Sequence, residues 1–422
     1  MVYIKPFRAL RPKEDLVSKV NSPPYDIISK EEARSVIEHN PYSFLKVVKP
    51  ETTIQEAENI SDSQLAEIAA RNLQEMIRQK IFLQDENECF YLYSQSNEIY
   101  QRMGLVVCLS AEDYLKGIIK KHENINTETY QQRVSHIMKT KTHTGCILVL
   151  YKSNGGIEEL LKQEAGNKKP IYEFESEDGI KNCCWQIQKK EIIFTLIKAF
   201  QDISSLYIAD GHHRAAAAVE VARLLKSQQK KSQDNEKKVM EEYMYFPAVL
   251  IPDNQIHISA YHRVVRIPLD FNKDDFINRL AQIFKIEKIS PNHPFLPSTK
   301  HEFGMNMSGQ WYRLLIKEGI LHKEESDITS RLDVSILQEM VLHPLLGIKY
   351  PQQNNVIEFI GGVNSLLKIE ERIEQEAVIV FTLFPTSVED VIEISEMEKI
   401  MPPKSTWFTP KLRSGIFVHY FG

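Results

Sequence analysis

The chain has 422 residues, of which 42% are hydrophobic and 26% are charged, and its formal net charge is −5 at pH 7. Because single cores stop growing at roughly 250–300 residues, this length predicts two or more structural units. The composition excludes a disordered chain and a membrane protein, and the acidic balance gives no global electrostatic reason to expect a nucleic-acid partner.

The N-terminus and the cysteines indicate the compartment. Lys5, Arg8 and Arg11 interrupt the stretch where a signal peptide would need an apolar core, and runs such as GCILVLY are too short to span a bilayer. The five cysteines are scattered without CxxC spacing, which favours small buried residues in a reducing compartment. We therefore expect a cytoplasmic protein without a membrane or nucleic-acid partner, and its oligomeric state stays open.

The N-terminal third of the chain alternates between helix and strand signals. SPPYDIIS is extended because of its prolines, and Ser29 predicts the N-cap of a helix that runs to about His39. NPYSFLKVVKP predicts a strand, and the apolar spacing of residues 61–78 predicts an amphipathic helix. CFYLYSQ and RMGLVVCLS are rich in aromatic and β-branched residues and predict a hairpin.

The middle of the chain continues the alternation. KGIIKKHENINTETYQQRVSHIMKT predicts a helix at its end, before a strand at CILVLYK. The strand SLYIAD precedes a helix from about His212 to Lys226, and KSQQKKSQDNEKKVMEE predicts a solvated helix end or surface loop. YMYFPAVLIP and YHRVVRIP follow as strands.

The C-terminal third completes a mixed α/β (α+β) fold. Residues 271–317 read as one helix and three short strands, which predicts a small α+β insert. LDVSILQEMVLHPLLG predicts a helix that ends at Gly347, AVIVFTLFP a buried strand, and SVEDVIEISEM a helix capped by Ser387. The predicted parts are a core at residues 1–268, the insert at 269–330 and a C-terminal α/β segment at 331–422 that returns to the core.

YIADGHHRAAAA, residues 207–218, carries the strongest chemical signal in the sequence. A strand, a tight Asp-Gly turn and a helix start would gather unpaired backbone N–H groups at the positive end of a helix dipole, which suits a phosphate. Gly211 permits a positive φ, and Arg214 can fork two hydrogen bonds to phosphate oxygens. His212 and His213 can donate or shuttle protons near neutral pH.

Asp210 complicates this interpretation. A carboxylate beside a phosphate is repulsive unless a cation, a proton or a reacting hydroxyl lies between them, so Asp210 indicates either a Mg²⁺ ligand or a general base. The alternative is that Asp210 only caps the helix and that the histidines pack against it.

Three other polar clusters contain candidate residues. KKHENINTETYQQR contains His122, Glu123 and Arg133, but its spacing is not HExxH, which excludes a zincin site. SAYHRVV contains His262 and Arg263, and the proline-bounded loop MPPKSTWFTPK contains the remaining pair, Lys404 and Ser405. FIGGVN lacks the dinucleotide and P-loop fingerprints, and the sequence has neither a GxSxG elbow nor the protein-kinase motif set.

Motifs along almost the whole chain occur in a recognisable order: FRALRP, SPPYDIIS, NPYSFL, KKHENI, YIADGHHRAAAA, YHRVV, LDVSILQEMVLHPLLGI and MPPKSTWFTPKLRSGIF. Together they resemble the bacterial family called domain of unknown function 1015. The activity of that family is poorly characterised, so this resemblance implies little about function.

The DGHHR turn is also similar, over about twenty residues, to that of free-serine kinases built on the ParB/sulfiredoxin-type fold. This looser resemblance implies a ParB/sulfiredoxin-like nucleotide-binding core, with Asp210 near the transferred group or its Mg²⁺. The phosphate contacts that it implies are Gly211, His212, His213 and Arg214. Glu123 and Asp26 are both candidates for the carboxylate that activates the acceptor, and the resemblance does not choose between them.

The predicted function is a Mg²⁺-dependent phosphotransferase that moves a phosphoryl group from ATP or ADP to the hydroxyl of a small metabolite such as free serine. In it, the turn holds the nucleotide, Asp210 or Glu123 activates the acceptor hydroxyl, and His212 and His213 complete the catalytic set. Further residues assigned to the nucleotide or its cofactor are Arg8, His122, Arg133, Lys404 and Ser405. Those assigned to the substrate are Tyr25, Asp26, His262 and Arg263.

Two other functions stay open at this point. One is a nucleotide-responsive regulatory protein similar to ParB proteins, although the acidic balance and the lack of a helix-turn-helix pattern disfavour it. The other is a nucleotide-independent hydrolase or lyase that acts on a phosphorylated metabolite, with His212 and His213 as acid and base.

Overall fold

The computed structural model describes residues 1–54, 60–231, 242–267, 271–290, 293–320, 327–349, 356–362 and 364–422. The chain forms two compact units. The first unit comprises residues 1–121, 125–256 and 410–422, and the second comprises residues 122–124 and 257–409. Across these described ranges, no helix is long and apolar enough to cross a membrane.

The first unit contains most of the helices and strands. Its strands are β1 (Ile4–Lys5), β2 (Ala9–Pro12), β3 (Phe82–Gln84), β4 (Phe90–Ser96), β5 (Gln101–Ser110), β6 (Ile119–Lys120), β7 (Thr142–His143), β8 (Ile147–Tyr151), β9 (Tyr172–Glu175), β10 (Lys181–Ile187), β11 (Leu206–Asp210), β12 (Tyr245–Pro252) and β21 (Val418–Tyr420). Its helices are α1 (Val17–Val20), α2 (Lys30–His39), α3 (Leu45–Val48), α4 (Asp62–Arg78), α5 (Ala111–Leu115), α6 (Thr127–Thr140), α7 (Gly155–Gly166), α8 (Lys190–Gln201) and α9 (His212–Lys231).

A large mixed sheet organises the first unit. Its strand order is β6-β11-β8-β12-β5-β4-β10-β9, with β1 paired to β5. Neighbouring strands are antiparallel except for β11 with β6 and β12 with β8, which are parallel. A smaller sheet, β3-β2-β21-β7, brings the C-terminal strand beside β2. The strand β11 therefore lies inside the large sheet, and α9 follows it directly.

The sequence explains why β11 and α9 pack closely. Residues 206–209 are all buried, as expected for a short apolar strand with neighbours on both sides. On α9, Ala215, Ala218 and Ala222 face the core that includes Ile208. Small side chains let the helix axis approach the sheet, so the turn between strand and helix is held on both sides.

The second unit is built on an antiparallel sheet. Its strands are β13 (His257–Ser259), β14 (Tyr261–Arg266), β15 (Phe284–Ile289), β16 (Glu302–Met307), β17 (Gln310–Ile316), β18 (Ile357–Gly361), β19 (Val378–Leu383) and β20 (Trp407–Thr409). Its helices are α10 (Lys273–Ile283), α11 (Asp333–Leu337), α12 (His343–Leu346), α13 (Ser365–Gln375) and α14 (Val388–Glu396). The main sheet has the order β15-β17-β16-β19-β14-β18, and β13 pairs with β20.

The mixed α/β class and most of the predicted elements are confirmed. CFYLYSQ and RMGLVVCLS form the antiparallel pair β4 and β5. The helix predicted to end at Gly347 does so, with a π-helical turn at Gln338–Leu342 between α11 and α12. The helix and three strands expected at residues 271–317 are α10, β15, β16 and β17, and β16 pairs with β19 in one shared sheet.

The strand predicted for NPYSFLKVVKP is wrong. The segment forms the short helix α3, in which Leu45, Val47 and Val48 are all buried. Because three of its four residues are buried, the segment lacks the alternation that separates a strand from a buried helical turn, and tertiary packing then outweighs β propensity. In KSQQKKSQDNEKKVMEE, α9 continues to Lys231, and residues 232–241 lie outside the described residues.

Candidate functional site

The DGHHR turn joins β11 to α9 in a conformation that requires glycine. The pairing of β11 with β8 shifts register between Ile208 and Asp210, and Gly211 then has φ +99°. A Cβ at Gly211 would lie 3.0 Å from Nε and Nη2 of Arg214. The turn is therefore formed around the Arg214 side chain, which folds back over the backbone of Gly211.

Asp210 is the counter-ion of two cations. Its Oδ2 accepts from Arg214 Nη2 at 3.1 Å, and its Oδ1 accepts from Lys411 Nζ at 3.2 Å. The three side chains are between 12% and 20% exposed. Burial alone would raise the pKa of Asp210, but the charges of Lys411 and Arg214 outweigh it and hold that pKa well below its usual range.

Arg214 is fixed at both ends of its guanidinium group. While Nη2 contacts Asp210, Nη1 donates to the carbonyl of Cys146 at 2.5 Å, and a Cβ at Gly145 would lie 3.4 Å from that Nη1. Burial alone would lower its pKa, but Asp210 and then Asp26 raise it. Arg214 is thus a preoriented cation at the N-terminus of α9, which has 20 residues.

A second arginine lines the same cleft. The guanidinium carbon of Arg133, on α6, lies 4.0 Å from the centroid of the Tyr25 ring. The Nε of Arg133 is buried without a hydrogen-bond partner, and Arg133 makes no ion pair within the described part of the chain. Burial raises the pKa of Tyr25, with Arg133 opposing the shift, so the phenol is neutral at pH 7.

The cleft between these residues is open, and its cavity volume is about 30 Å³. Tyr25, Arg133, Gly145 and Arg214 line it together with the buried His136. The Nε2 of His136 donates to the Val47 carbonyl at 2.8 Å, and burial followed by the charge of Arg133 lowers its pKa to about 3. This histidine is therefore neutral, and the positive potential of the cleft comes from the arginines.

The local charge is positive. Arg133, Arg214 and Lys411 supply three positive charges, and Asp210 and Asp26 supply two negative ones, which leaves an excess of one positive charge. This balance, with the start of a long helix, is suited to an anionic ligand.

The two roles that the sequence suggested for Asp210, a Mg²⁺ ligand and a general base, stay predictions. Each of its oxygens accepts from a cation, so Asp210 is the counter-ion of Arg214 and Lys411. Its lowered pKa also makes it a weak base. Among the described residues there is no group of three or more His, Cys, Asp or Glu that could hold a metal ion.

Asp26 has the properties that Asp210 lacks. Its side chain is exposed, it makes no ion pair in the described ranges, and it is close enough to Arg214 and Tyr25 to raise the pKa of both. The structure therefore leaves Asp26 as an available carboxylate at the edge of the cleft.

The two histidines of the motif lie at the start of α9. The Nε2 of His213 accepts from the backbone N–H of Asn126 at 2.9 Å, which fastens the start of α6 to the start of α9. His212 is 3% exposed. The acid and base roles suggested for His212 and His213 stay predictions.

The other predicted site residues lie elsewhere. Arg8 is exposed just before β2. In the second unit, buried Arg263 donates to the carbonyls of Tyr261 and Lys404, at 2.8 and 3.0 Å, which gives it structural partners. The remaining predicted residues of the second unit are His122 and His262, both buried, Glu123, which is partly exposed, and Ser405, which donates to the Pro402 carbonyl.

Sequence reasoning missed Lys411 and the Cys146 carbonyl. Lys411 lies 201 residues from Asp210, so no local pattern joins the two. Lys411 does lie in the motif MPPKSTWFTPKLRSGIF, which occurs in this sequence together with DGHHR. A cation in that motif is the signal that could have identified Lys411. A backbone carbonyl carries no such signal.

A family model described as protein of unknown function (DUF1015) matches residues 4–335 of the chain. A search of curated proteins finds no significant match. Similar solved structures include a free serine kinase in complex with AMP, with 12% identity, a TM-score of 0.36 and coverage of 72% of this chain and 87% of that one.

Two further structures have the same TM-score of 0.36. A conserved hypothetical protein from Pyrococcus furiosus is 13% identical over 75% of this chain and 95% of that one. SbnI with a C-terminal truncation, from Staphylococcus aureus, is 10% identical over 72% of this chain and 84% of that one. Similarity at this level identifies neither the ligand nor the reaction of this chain.

Proposed function

The chain belongs to the DUF1015 family, as its motifs predicted, and because that name specifies no reaction we propose a function from the cleft of Arg133 and Arg214. The cleft binds the phosphates of a nucleotide, and the protein transfers a phosphoryl group from ATP or ADP to the hydroxyl of a small metabolite. Free serine is the first acceptor to test.

The proposed function rests on the Arg133 guanidinium, which has no carboxylate partner among the described residues. Arginine stays charged in proteins, and stacking on Tyr25 removes water from one face of the group. No carboxylate neutralises Arg133 among the described residues, although Lys411 and Arg214 share Asp210 close by. A phosphate would supply the missing negative charge and accept from both arginines.

The remaining residues suit phosphoryl transfer, which asks a protein mainly for positioning and charge neutralisation. Arg214, held by Asp210 and Cys146, contacts the phosphates without first having to reorient. Asp26 accepts the proton of the acceptor hydroxyl, because it is the carboxylate near the cleft that no cation occupies among the described residues.

Nucleotide binding is tested by calorimetry with ADP and ATP, each with and without Mg²⁺. We expect Arg133→Gln to weaken binding by about tenfold or more, because a charge-assisted hydrogen bond to phosphate is lost. The matched control is Arg78→Gln on α4, an exposed arginine paired with Glu75, which should bind like the unmodified protein. Equal affinity in Arg133→Gln, or no nucleotide binding by the unmodified protein, contradicts the proposal.

Phosphoryl transfer is tested with ATP labelled in its γ-phosphate and a panel of hydroxyl metabolites headed by free serine. Asp26→Asn should abolish transfer and keep nucleotide affinity, because the substitution removes the base but not the arginines. Binding without transfer to any acceptor would favour the regulatory alternative. Transfer that persists in Asp26→Asn would exclude the role assigned to Asp26.

A further inference from the structure

The second unit has a cleft of its own around a buried carboxyl group. Asp333, at the start of α11, is 8% exposed. Its Oδ1 accepts from the backbone N–H of His301 at 3.0 Å, whereas its Oδ2 is buried without a hydrogen-bond partner among the described residues. A buried carboxylate oxygen without a donor is costly unless a ligand or a proton satisfies it.

His301 packs against this carboxyl group in an uncommon backbone conformation. Its φ is +68°, and its Nδ1 lies 3.2 Å from Asp333 Oδ1. Burial and then the charge of Lys300 lower the pKa of His301, so the imidazole does not supply a positive charge to Asp333 at neutral pH. Unusual backbone conformations of this kind are concentrated at ligand-binding sites.

The cleft also contains a second carboxylate without a partner. Glu393, on α14, is exposed and makes no ion pair among the described residues. Lys300, in contrast, is neutralised, since its Nζ lies 2.9 and 2.7 Å from the two oxygens of Asp390. The titratable and charged groups that line the cleft are Lys300, His301, Arg331, Asp333, Asp390 and Glu393.

The charge balance indicates the class of ligand. Three carboxyl groups face two cations and a neutral imidazole, so the cleft has an excess of one negative charge when Asp333 is ionised. The cavity volume is about 180 Å³, which is below the range of drug-sized ligand sites and restricts the ligand to a small molecule. An ammonium group would donate to Asp333 Oδ2 and to the Glu393 carboxylate.

We infer that this cleft is a second ligand site, which binds a small molecule through a protonated amine held by Asp333 and Glu393. The site lies wholly within the second unit, and it does not depend on the function proposed for the cleft of Arg133 and Arg214. Burial raises the pKa of Asp333 to about 7, so binding of an ammonium group competes with a proton on this carboxyl.

The experiment uses the full chain with 1,4-diaminobutane as the probe and 1,4-butanediol as its uncharged counterpart, followed by calorimetry. We expect the diamine to bind and the diol not to. Asp333→Asn and Glu393→Gln should each weaken diamine binding by about tenfold. In Asp333→Asn the amide oxygen can still accept from the His301 N–H, so the fold should persist. Glu389→Gln, an exposed carboxylate elsewhere on α14, is the matched control and should bind normally.

The pH dependence gives a second readout. With a pKa of about 7, Asp333 is mostly protonated at pH 6 and mostly ionised at pH 8, whereas the amine is charged at both. Diamine affinity should therefore rise by about tenfold from pH 6 to pH 8, and Asp333→Asn should remove the rise. Equal binding of diol and diamine, binding unaffected by both substitutions, or no binding of the diamine would each overturn the inference.

Discussion

Gly211 combines two separate steric constraints at one residue. Its φ of +99° lies in the region that favours glycine, and a side chain there would also contact Arg214 at 3.0 Å. Gly117 has a similar φ of +70°, but a Cβ at that position would meet no atom within 4 Å. Substitutions at these two glycines therefore distinguish the cost of the backbone conformation from the effect on the position of Arg214.

We predict that Gly211→Ala and Gly117→Ala differ in binding as well as in stability. Gly117→Ala should lower the free energy of unfolding by about 1 kcal/mol, the cost of a left-handed conformation, and leave nucleotide affinity unchanged. Gly211→Ala should cost more, because Arg214 must move, and it should weaken nucleotide binding. Thermal unfolding and calorimetry measure both effects, and equal results for the two variants would exclude the role of Gly211 in positioning Arg214.

The residues of the site were predictable only where the signal was local. The DGHHR turn, its glycine and Arg214 followed from adjacent letters in the sequence, and Tyr25 and Arg133 were placed in the candidate set by motif. The pairing of Asp210 with Lys411 was not visible, because the partners are 201 residues apart. Without Lys411, a metal or a proton was the natural way to neutralise Asp210.

Among the secondary-structure elements, helix N-termini were the features that the sequence predicted best. Ser29 and Ser387, predicted as N-caps, each form a capping box with the residue three positions later, Glu32 and Asp390. The helix α3 was misread because it is short and three of its four residues are buried, so neither a period of 2 nor one of 3.6 is visible. Helices with a regular solvated face were thus predictable, and a short, mostly buried turn was not.

The N-cap residue of α6, Asn126, gives a testable prediction for this helix. The side chain of Asn126 accepts from the backbone N–H groups of Glu128 and Thr129, and its own backbone N–H donates to His213. Asn126→Ala removes the cap and should cost about 1 kcal/mol, which corresponds to about fivefold faster amide exchange in the first turn of α6. Asn272→Ala, which uncaps α10 in the second unit, is the matched control.

The control shows whether the faster amide exchange is confined to one helix end or extends through the protein. Asn272→Ala should speed exchange at the start of α10 and leave the amides of α6 unchanged, since the two caps are in different units. If Asn126→Ala left the exchange of Glu128 and Thr129 unaltered, the contact with His213 alone would be holding this helix end.

At the scale of the whole molecule, the sequence predicted a C-terminal segment that returns to the core, but it did not predict which strands this segment pairs with. Residues 410–422 rejoin the first unit, where β21 pairs with β2 and β7. These pairings join segments separated by hundreds of residues, and the periodicity of hydrophobic residues along the sequence does not predict such pairings. The return places Lys411 beside Asp210, so the tertiary path of the chain completes the candidate site.

The cysteines support one prediction about the whole molecule. All five are buried and unpaired, and burial raises the pKa of each thiol, for Cys146 to about 12. Cys183 and Cys184 are neighbours on β10, and successive strand residues point to opposite faces, so they are not placed for a disulfide with each other.

We therefore predict that the folded protein resists alkylation by iodoacetamide at pH 7.5, because alkylation requires an accessible thiolate. Mass spectrometry should find no cysteine modified to completion in the folded protein, and all five modified after unfolding in guanidinium chloride. The unfolded sample controls for reagent quality. Stoichiometric alkylation of one cysteine before unfolding would show that its segment opens readily, and for Cys146 this would mean that the carbonyl holding Arg214 is itself in a mobile part of the cleft.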